Sequence, residues 1–192
     1  MHTVNTPKDL DTIADIVPLM QNIFFTADTH FGHSNIIKYC NRPFNSHEEM
    51  DAEILKRFNS VIKRGDILYH LGDVSWSTYD LDKFFSRLNT KEVHLIYGNH
   101  DKPKVTRHPH IRSYCDIRKI NPGHPIVLCH YAMNSWPGKG SGSFQLFGHS
   151  HGKLAGIGRS MDVGVDTNNF YPYEFSEIKD KLSQIPFKHH EE

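Results

Sequence analysis

Ile67-Leu68-Tyr69-His70-Leu71-Gly72-Asp73 and, further along, Val93-His94-Leu95-Ile96-Tyr97-Gly98-Asn99-His100-Asp101 share one construction. Each is a short apolar run, then a glycine, then side chains able to ligate a metal. Runs of this length bounded by glycine read as buried strands. Working outward, related patterns stand at residues 23–25 before Asp28-Thr29-His30, at 126–129 before His130, and at 144–147 before Gly148-His149-Ser150-His151-Gly152. Open α/β sheets collect their ligands at strand carboxyl ends, so five strand ends can converge on one spot.

Between the first two runs, Ser46-His47-Glu48-Glu49 opens like a capping box, and Ile54, Leu55, Phe58, Val61 and Ile62 follow at helical spacing. Residues 81–88 predict another helix, with Phe84, Phe85 and Leu88 inward. Strands alternate with helices early and follow one another closely later. That order predicts an α/β layered sandwich, parallel in its first half and built of hairpins in its second.

The chain has 192 residues, 38% of them apolar, which suits one domain over residues 22–192. Residues 1–21 read as an N-terminal extension, where Ile13, Ile16 and Leu19 share a possible helical face that Pro18 disturbs. Lysine plus arginine equals aspartate plus glutamate at 22 each, so no overall field favours a nucleic-acid backbone or an anionic membrane. No basic stripe interleaves with aromatics, which leaves a nucleic-acid substrate unfavoured. Oligomeric state is not legible.

Cys40, Cys115 and Cys129 are odd in number and far apart, a pattern that suits a reducing cytoplasm better than a disulfide framework. The opening residues lack the basic start and apolar core of a signal peptide, and no later run could span a bilayer. The closing Lys188-His189-His190-Glu191-Glu192 reads as a solvated tail.

In extended backbone, side chains two apart point the same way, so Asp28 with His30, and His149 with His151, can each present two ligands to one side. A mixed oxygen and imidazole set suits divalent transition metals, manganese first, with iron, zinc and nickel as alternatives. The absence of cysteine argues against a closed structural zinc site.

The ordered series Asp-x-His, Gly-Asp, Gly-Asn-His-Asp, His and Gly-His-x-His resembles the calcineurin-like metallophosphoesterase family over residues 22–170. Phe31-Gly32-His33, Arg42-Pro43-Phe44 and Ser135-Trp136 resemble a small bacterial and phage-type branch of it. The resemblance implies a layered α-β-β-α sandwich with its metal site at the strand carboxyl ends. It also implies a ligand set in which Asp28, His30 and His151 bind one cation, Asn99, His130 and His149 bind a second, and Asp73 bridges both. The implied activity is hydrolysis of a small phosphate ester by a hydroxide that two cations activate. Diesters, cyclic nucleotides among them, come ahead of monoesters because the chain is short. The alternative is a metal-containing binding scaffold of the same fold.

By the same resemblance His100 faces the substrate as a general acid or a stabiliser of transition-state charge, with Asp101 holding its ring. The plainer reading is a histidine that only hydrogen-bonds its own loop. His33 and Asn35 follow the first ligand pair and could reach substrate, or could simply accompany a helix cap at Ser34. Trp136 could wall a planar group, although packing is the commoner use of a tryptophan, and Trp76 is read the same way. His70 and Cys129 read as core residues rather than ligands.

Overall fold

The computed structural model describes residues 21–187, so the apolar face of the N-terminal extension and the histidine-containing tail lie outside the described residues. All five apolar runs form strands. The first sheet contains β1 (Ile23–Thr26), β2 (Ile67–His70), β3 (Glu92–Ile96), β4 (Ile111–Cys115) and β9 (Tyr173–Glu174), in the order β4-β3-β2-β1-β9. Strands β1 to β4 run parallel, and β9 joins β1 antiparallel. The second sheet has the order β5 (Ile117–Ile120), β6 (Ile126–Cys129), β7 (Phe144–Phe147) and β8 (Ser160–Asp162).

The expectation of hairpins in the second half needs correction. Only β5 and β6 pair antiparallel there, while β6–β7 and β7–β8 are parallel. The reason lies in the connections: residues 130–143 and 148–159 give each strand enough chain to return to the starting end of the sheet, as a parallel crossover requires. Every strand followed by a candidate ligand therefore delivers its carboxyl end to the same rim.

Helix α1 (Ser34–Tyr39) follows β1 directly. Helix α2 (His47–Val61) begins where Ser46 Oγ accepts a hydrogen bond from the Glu49 N–H, as expected. Half of the capping box differs, because the Glu49 carboxylate accepts from the backbone N–H of Asn45 instead of that of Ser46. Helix α3 (Thr78–Arg87) starts earlier than its apolar pattern suggests, since Ser77 caps the Asp80 N–H. Helices α4 (Pro103–Thr106) and α5 (Phe175–Ser183) complete the α-helices among the described residues.

Two apolar layers follow from strand alternation, which sends Phe24 and Phe25 to opposite faces of the first sheet. Phe24, Leu68, Val93 and Leu95 pack against Ile54 and Phe58 of α2 and Phe84 and Phe85 of α3. Phe25, Tyr69 and Ile96 meet Ile126, Leu128, Phe144 and Leu146 of the second sheet, with Ile178 and Leu182 of α5 added. Each wholly buried phenylalanine, such as Phe25 or Phe58, contributes about 2–3 kcal/mol by leaving water. No helix among the described residues is long and apolar enough to cross a membrane.

His70 is a buried core histidine, as its strand position implies. Thr29 Oγ1 donates to the Val74 carbonyl, so it accepts from His70 Nε2–H at 2.9 Å. Burial pushes the His70 pKa down to about 3. The folded state therefore resists a proton that the unfolded chain binds near pH 6.5. Stability is complete above that pH and falls as pH drops toward 3, by about 1.4 kcal/mol per unit for one such group. His70→Gln keeps the donor but cannot titrate, so the pH dependence of denaturant unfolding between pH 6 and 4 should flatten by about that slope. An unchanged slope would show that His70 is not what resists acid.

Candidate metal centre

Hydrogen bonds between loops lock the rim before any side chain is considered. Asp28 N–H donates to the Gly72 carbonyl at 2.9 Å, and His30 N–H donates to the Asp73 carbonyl at 3.0 Å, joining the loops after β1 and β2. Two glycines let the loops after β2 and β3 approach. A Cβ on Gly72 would lie 2.6 Å from Gly98 Cα, and one on Gly98 would lie 2.2 Å from Asp73 Oδ1.

Asp28, His30, Asp73, His149 and His151 all have φ between 48° and 65°. Their backbone is left-handed, not extended as the sequence suggests, and non-glycine residues rarely adopt it. The pairing expected of positions two apart survives by a different route, because left-handed residues alternate with ordinary ones at 28–30 and 149–151. His30 and His151 consequently stack, with ring centroids 5.3 Å apart.

The expected ligands fall into two adjoining groups. Donor atoms of Asp28, His30 and His151 lie within 4.8 Å of one another, and so do those of Asp73, His130 and His149. Asp73 Oδ2 stands 3.6 Å from His30 Nε2 and 3.6 Å from His130 Nε2, midway between the groups. Its other oxygen accepts the His100 N–H at 2.9 Å, which fixes the carboxylate's rotation.

Whether these residues fit cations can be tested on their hydrogen bonds. His130 Nδ1 lies 2.6 Å from the Leu71 carbonyl, which can only accept, so Nδ1 carries the ring proton. Burial holds the His130 pKa below its usual value, so the neutral ring turns a lone pair from Nε2 toward Asn99 Oδ1 at 3.1 Å and toward Asp73 Oδ2. Three acceptors converge with no proton among them, an arrangement that a cation satisfies. The first group has the same character: Asp28 Oδ1 and His30 Nε2 are buried with no hydrogen-bond partner. Burial pushes the Asp28 pKa well above the carboxylate range and pulls that of His30 down to about 2.

An arrangement missed in the sequence holds His151. Arg42 is buried, and its Nε and Nη2 each donate to an Asp166 oxygen at 2.7 Å. Asp166 Oδ2 in turn lies 2.8 Å from His151 Nδ1. Arg42 also donates to the carbonyls of Asp28 and Thr29, so a single guanidinium holds both the loop carrying Asp28 and the carboxylate that orients the His151 ring. Burial alone would lower the His151 pKa, but hydrogen bonds with Asp166 and Cys40 raise it to about 10. The available signal was a charged Arg42 that must be paired if buried, and an aspartate just beyond the strand-like residues around Met161.

Removing Arg42 takes away the guanidinium that donates to both oxygens of the half-buried Asp166 and leaves His151 as its remaining partner. Arg42→Met should lower stability by about 1.5–3 kcal/mol and weaken metal retention by about tenfold to a hundredfold. Denaturant titration and metal analysis read the two effects separately. Near-normal values in both would remove Arg42 from the support of His151.

The remaining candidates divide. His100 is exposed at the mouth of the cage, with its ring centroid 5.6 Å from that of His30. The expected hold of Asp101 on that ring is corrected: its carboxylate accepts from the backbone N–H groups of Gly98, Asp73 and Val74, and so fastens the loop rather than the imidazole. His33 and Asn35 line a cleft beside His100, with Trp76, Tyr39 and Lys153. Trp136 is absent from that cleft. It is 5% exposed and donates to Ser143, a packing role, whereas Trp76 is 47% exposed and forms part of the cleft wall.

Two packed sheets that gather carboxylates and imidazoles at one rim are the architecture of a metal-dependent hydrolase. The model of calcineurin-like phosphoesterases matches residues 21–190, and the chain belongs to that family. An uncharacterised protein of Methanocaldococcus jannaschii is 46% identical over 162 residues, covering 80% of this chain and 86% of that one. The gene 66 protein of Mycobacterium phage L5 is 35% identical over 116 residues, covering 58% of this chain and 51% of its own. Among solved structures, a protein of unknown function from Aquifex aeolicus superposes with a TM-score of 0.69 at 27% identity, covering 84% of this chain and 99% of that one.

Proposed function

We propose that this protein hydrolyses phosphate esters, diesters ahead of monoesters, with two divalent cations held at the rim. Asp28, His30 and His151 would hold one, Asn99, His130 and His149 the other, and Asp73 both. The observation that supports this reading is the position of Asp73 Oδ2, 3.6 Å from a ring nitrogen of each group. When bound, such a pair lowers the pKa of a water between them and offsets charge on the phosphoryl oxygens.

The chain's own groups prepare for that chemistry. The His100 N–H keeps Asp73 Oδ2 aimed between the two groups, and Arg42 and Asp166 steady the ring of His151. The exposed ring of His100 stands 5.6 Å from that of His30 on the open side of the cage, where it would deliver a proton to the departing ester oxygen. Asn99, His100 and His149 are exposed, so substrate has access, as a catalytic metal site requires and a closed structural one lacks. That openness favours catalysis over a binding scaffold. The oxygen and imidazole donors favour manganese, and three free thiols favour a reducing cytoplasm.

The test is a substrate panel of an aryl monoester, a bis-aryl diester and cyclic nucleotides under manganese, nickel, zinc and magnesium, paired with metal analysis. Two ions per chain and diester turnover that a chelator abolishes are the expected results. A protein carrying both ions that turns over no ester would support the scaffold reading.

A further inference from the structure

Beside the cage lies a cleft of about 380 Å³ whose wall is aromatic. Trp76 and His33 stack there with ring centroids 4.2 Å apart, and Tyr39 stands 6.3 Å from His33. The Trp76 ring is also 5.9 Å from that of His100. Trp76 is not carried on a loose loop. The Trp76 N–H donates to the Phe31 carbonyl at 2.8 Å, and Phe31 bridges Ser75, so the segment carrying the tryptophan is tied to the loop carrying His30. Yet Trp76 remains 47% exposed and Tyr39 66% exposed. Large aromatic surface exposed beside a candidate metal centre, on a segment tied to the ligand-bearing loop, is surface kept for a ligand.

From this geometry we propose that the ester's organic group is a planar aromatic ring of the nucleobase kind, seated on Trp76, His33 and Tyr39 while its phosphate lies over the metal ligands. The proposal rests on the phosphoesterase reading for the position of the phosphate, and on the wall alone for the ring. His100 joins the two parts, since it borders both the cage and the wall. His33 covers part of Trp76 and stiffens it, so the ring meets a preformed surface instead of ordering one. Lys153 also lines the cleft and adds positive charge where an anionic ligand enters.

The experiment compares manganese-loaded wild type with Trp76→Ala, Tyr39→Ala and Trp76→Phe. Binding of adenosine monophosphate and of glycerol phosphate is measured by calorimetry, with tryptophan fluorescence followed in parallel. Stacking contributes about tenfold to a hundredfold per ring, so Trp76→Ala should weaken the nucleotide by that factor relative to glycerol phosphate. Trp76→Phe should recover most of the loss, and nucleotide should quench the wild-type fluorescence but not that of Trp76→Ala. Equal losses for both ligands, or nucleotide affinity unchanged in Trp76→Ala and Tyr39→Ala, would overturn the wall. The two readings fail separately. If no ester is turned over while the nucleotide still binds through Trp76, the phosphoesterase reading falls and the wall stands. If esters are turned over with no dependence on Trp76, the wall falls alone.

Discussion

Asp73→Asn is expected to reduce ester hydrolysis by more than about a thousandfold, because in the proposed mechanism both cations would share its carboxylate. The substitution is nearly isosteric, so the fold should persist. Its effect follows from one hydrogen bond: the His100 N–H donates to Oδ1, and in the variant that site selects the amide oxygen. The amide nitrogen is then turned toward His30 and His130, where it has no lone pair to give a cation and brings its own hydrogens into the cage. Metal content should fall while the circular dichroism spectrum is retained. Near-normal activity with two ions bound would show that Asp73 does not bridge.

His100→Ala separates proton delivery from metal binding. His100 contributes only its backbone N–H to the support of Asp73, and alanine retains that group. Both cations should therefore stay, while hydrolysis of an ester with an alkoxide leaving group slows by about a hundredfold to ten-thousandfold. A nitrophenolate departs without a proton, so its loss should be much smaller. Equal losses on the two substrates would instead assign His100 to charge stabilisation on the phosphoryl oxygens. No loss on either would leave it a loop histidine.

The rim was legible because each strand that carries a candidate ligand reads as a short apolar block, with glycine marking the ends of β2, β3 and β7. Strands β4 and β5 gave no such signal. Exposed Arg112, Tyr114, Ile117 and Lys119 alternate with partly covered residues there, and Arg112, Ser113, Arg118 and Lys119 make these edge strands look polar in sequence. Parallel pairing in the second sheet was hidden because it depends on what the long connections do in space, and their Gly/Ser content resembles that of any loop. The hold of Arg42 on Asp166 joins residues 124 positions apart, beyond the reach of local spacing. Trp76 and Trp136 show the same limit: both follow a ligand closely, and only the tertiary fold buries one and exposes the other.

Left-handed backbone at five ligand positions has a consequence for how the molecule breathes. Each such residue costs about 1–2 kcal/mol against an ordinary conformation, so the rim has more to gain by relaxing than the sheets beneath it. Without cations, amide hydrogens at residues 28–30, 73 and 149–151 should exchange well ahead of those in β1, β2 and β7. With cations in place, the same loops open only by releasing their ligands, and exchange there slows toward that of the strands. Metal supply would then set the rigidity of the rim, while the body of the protein keeps its shape in either case.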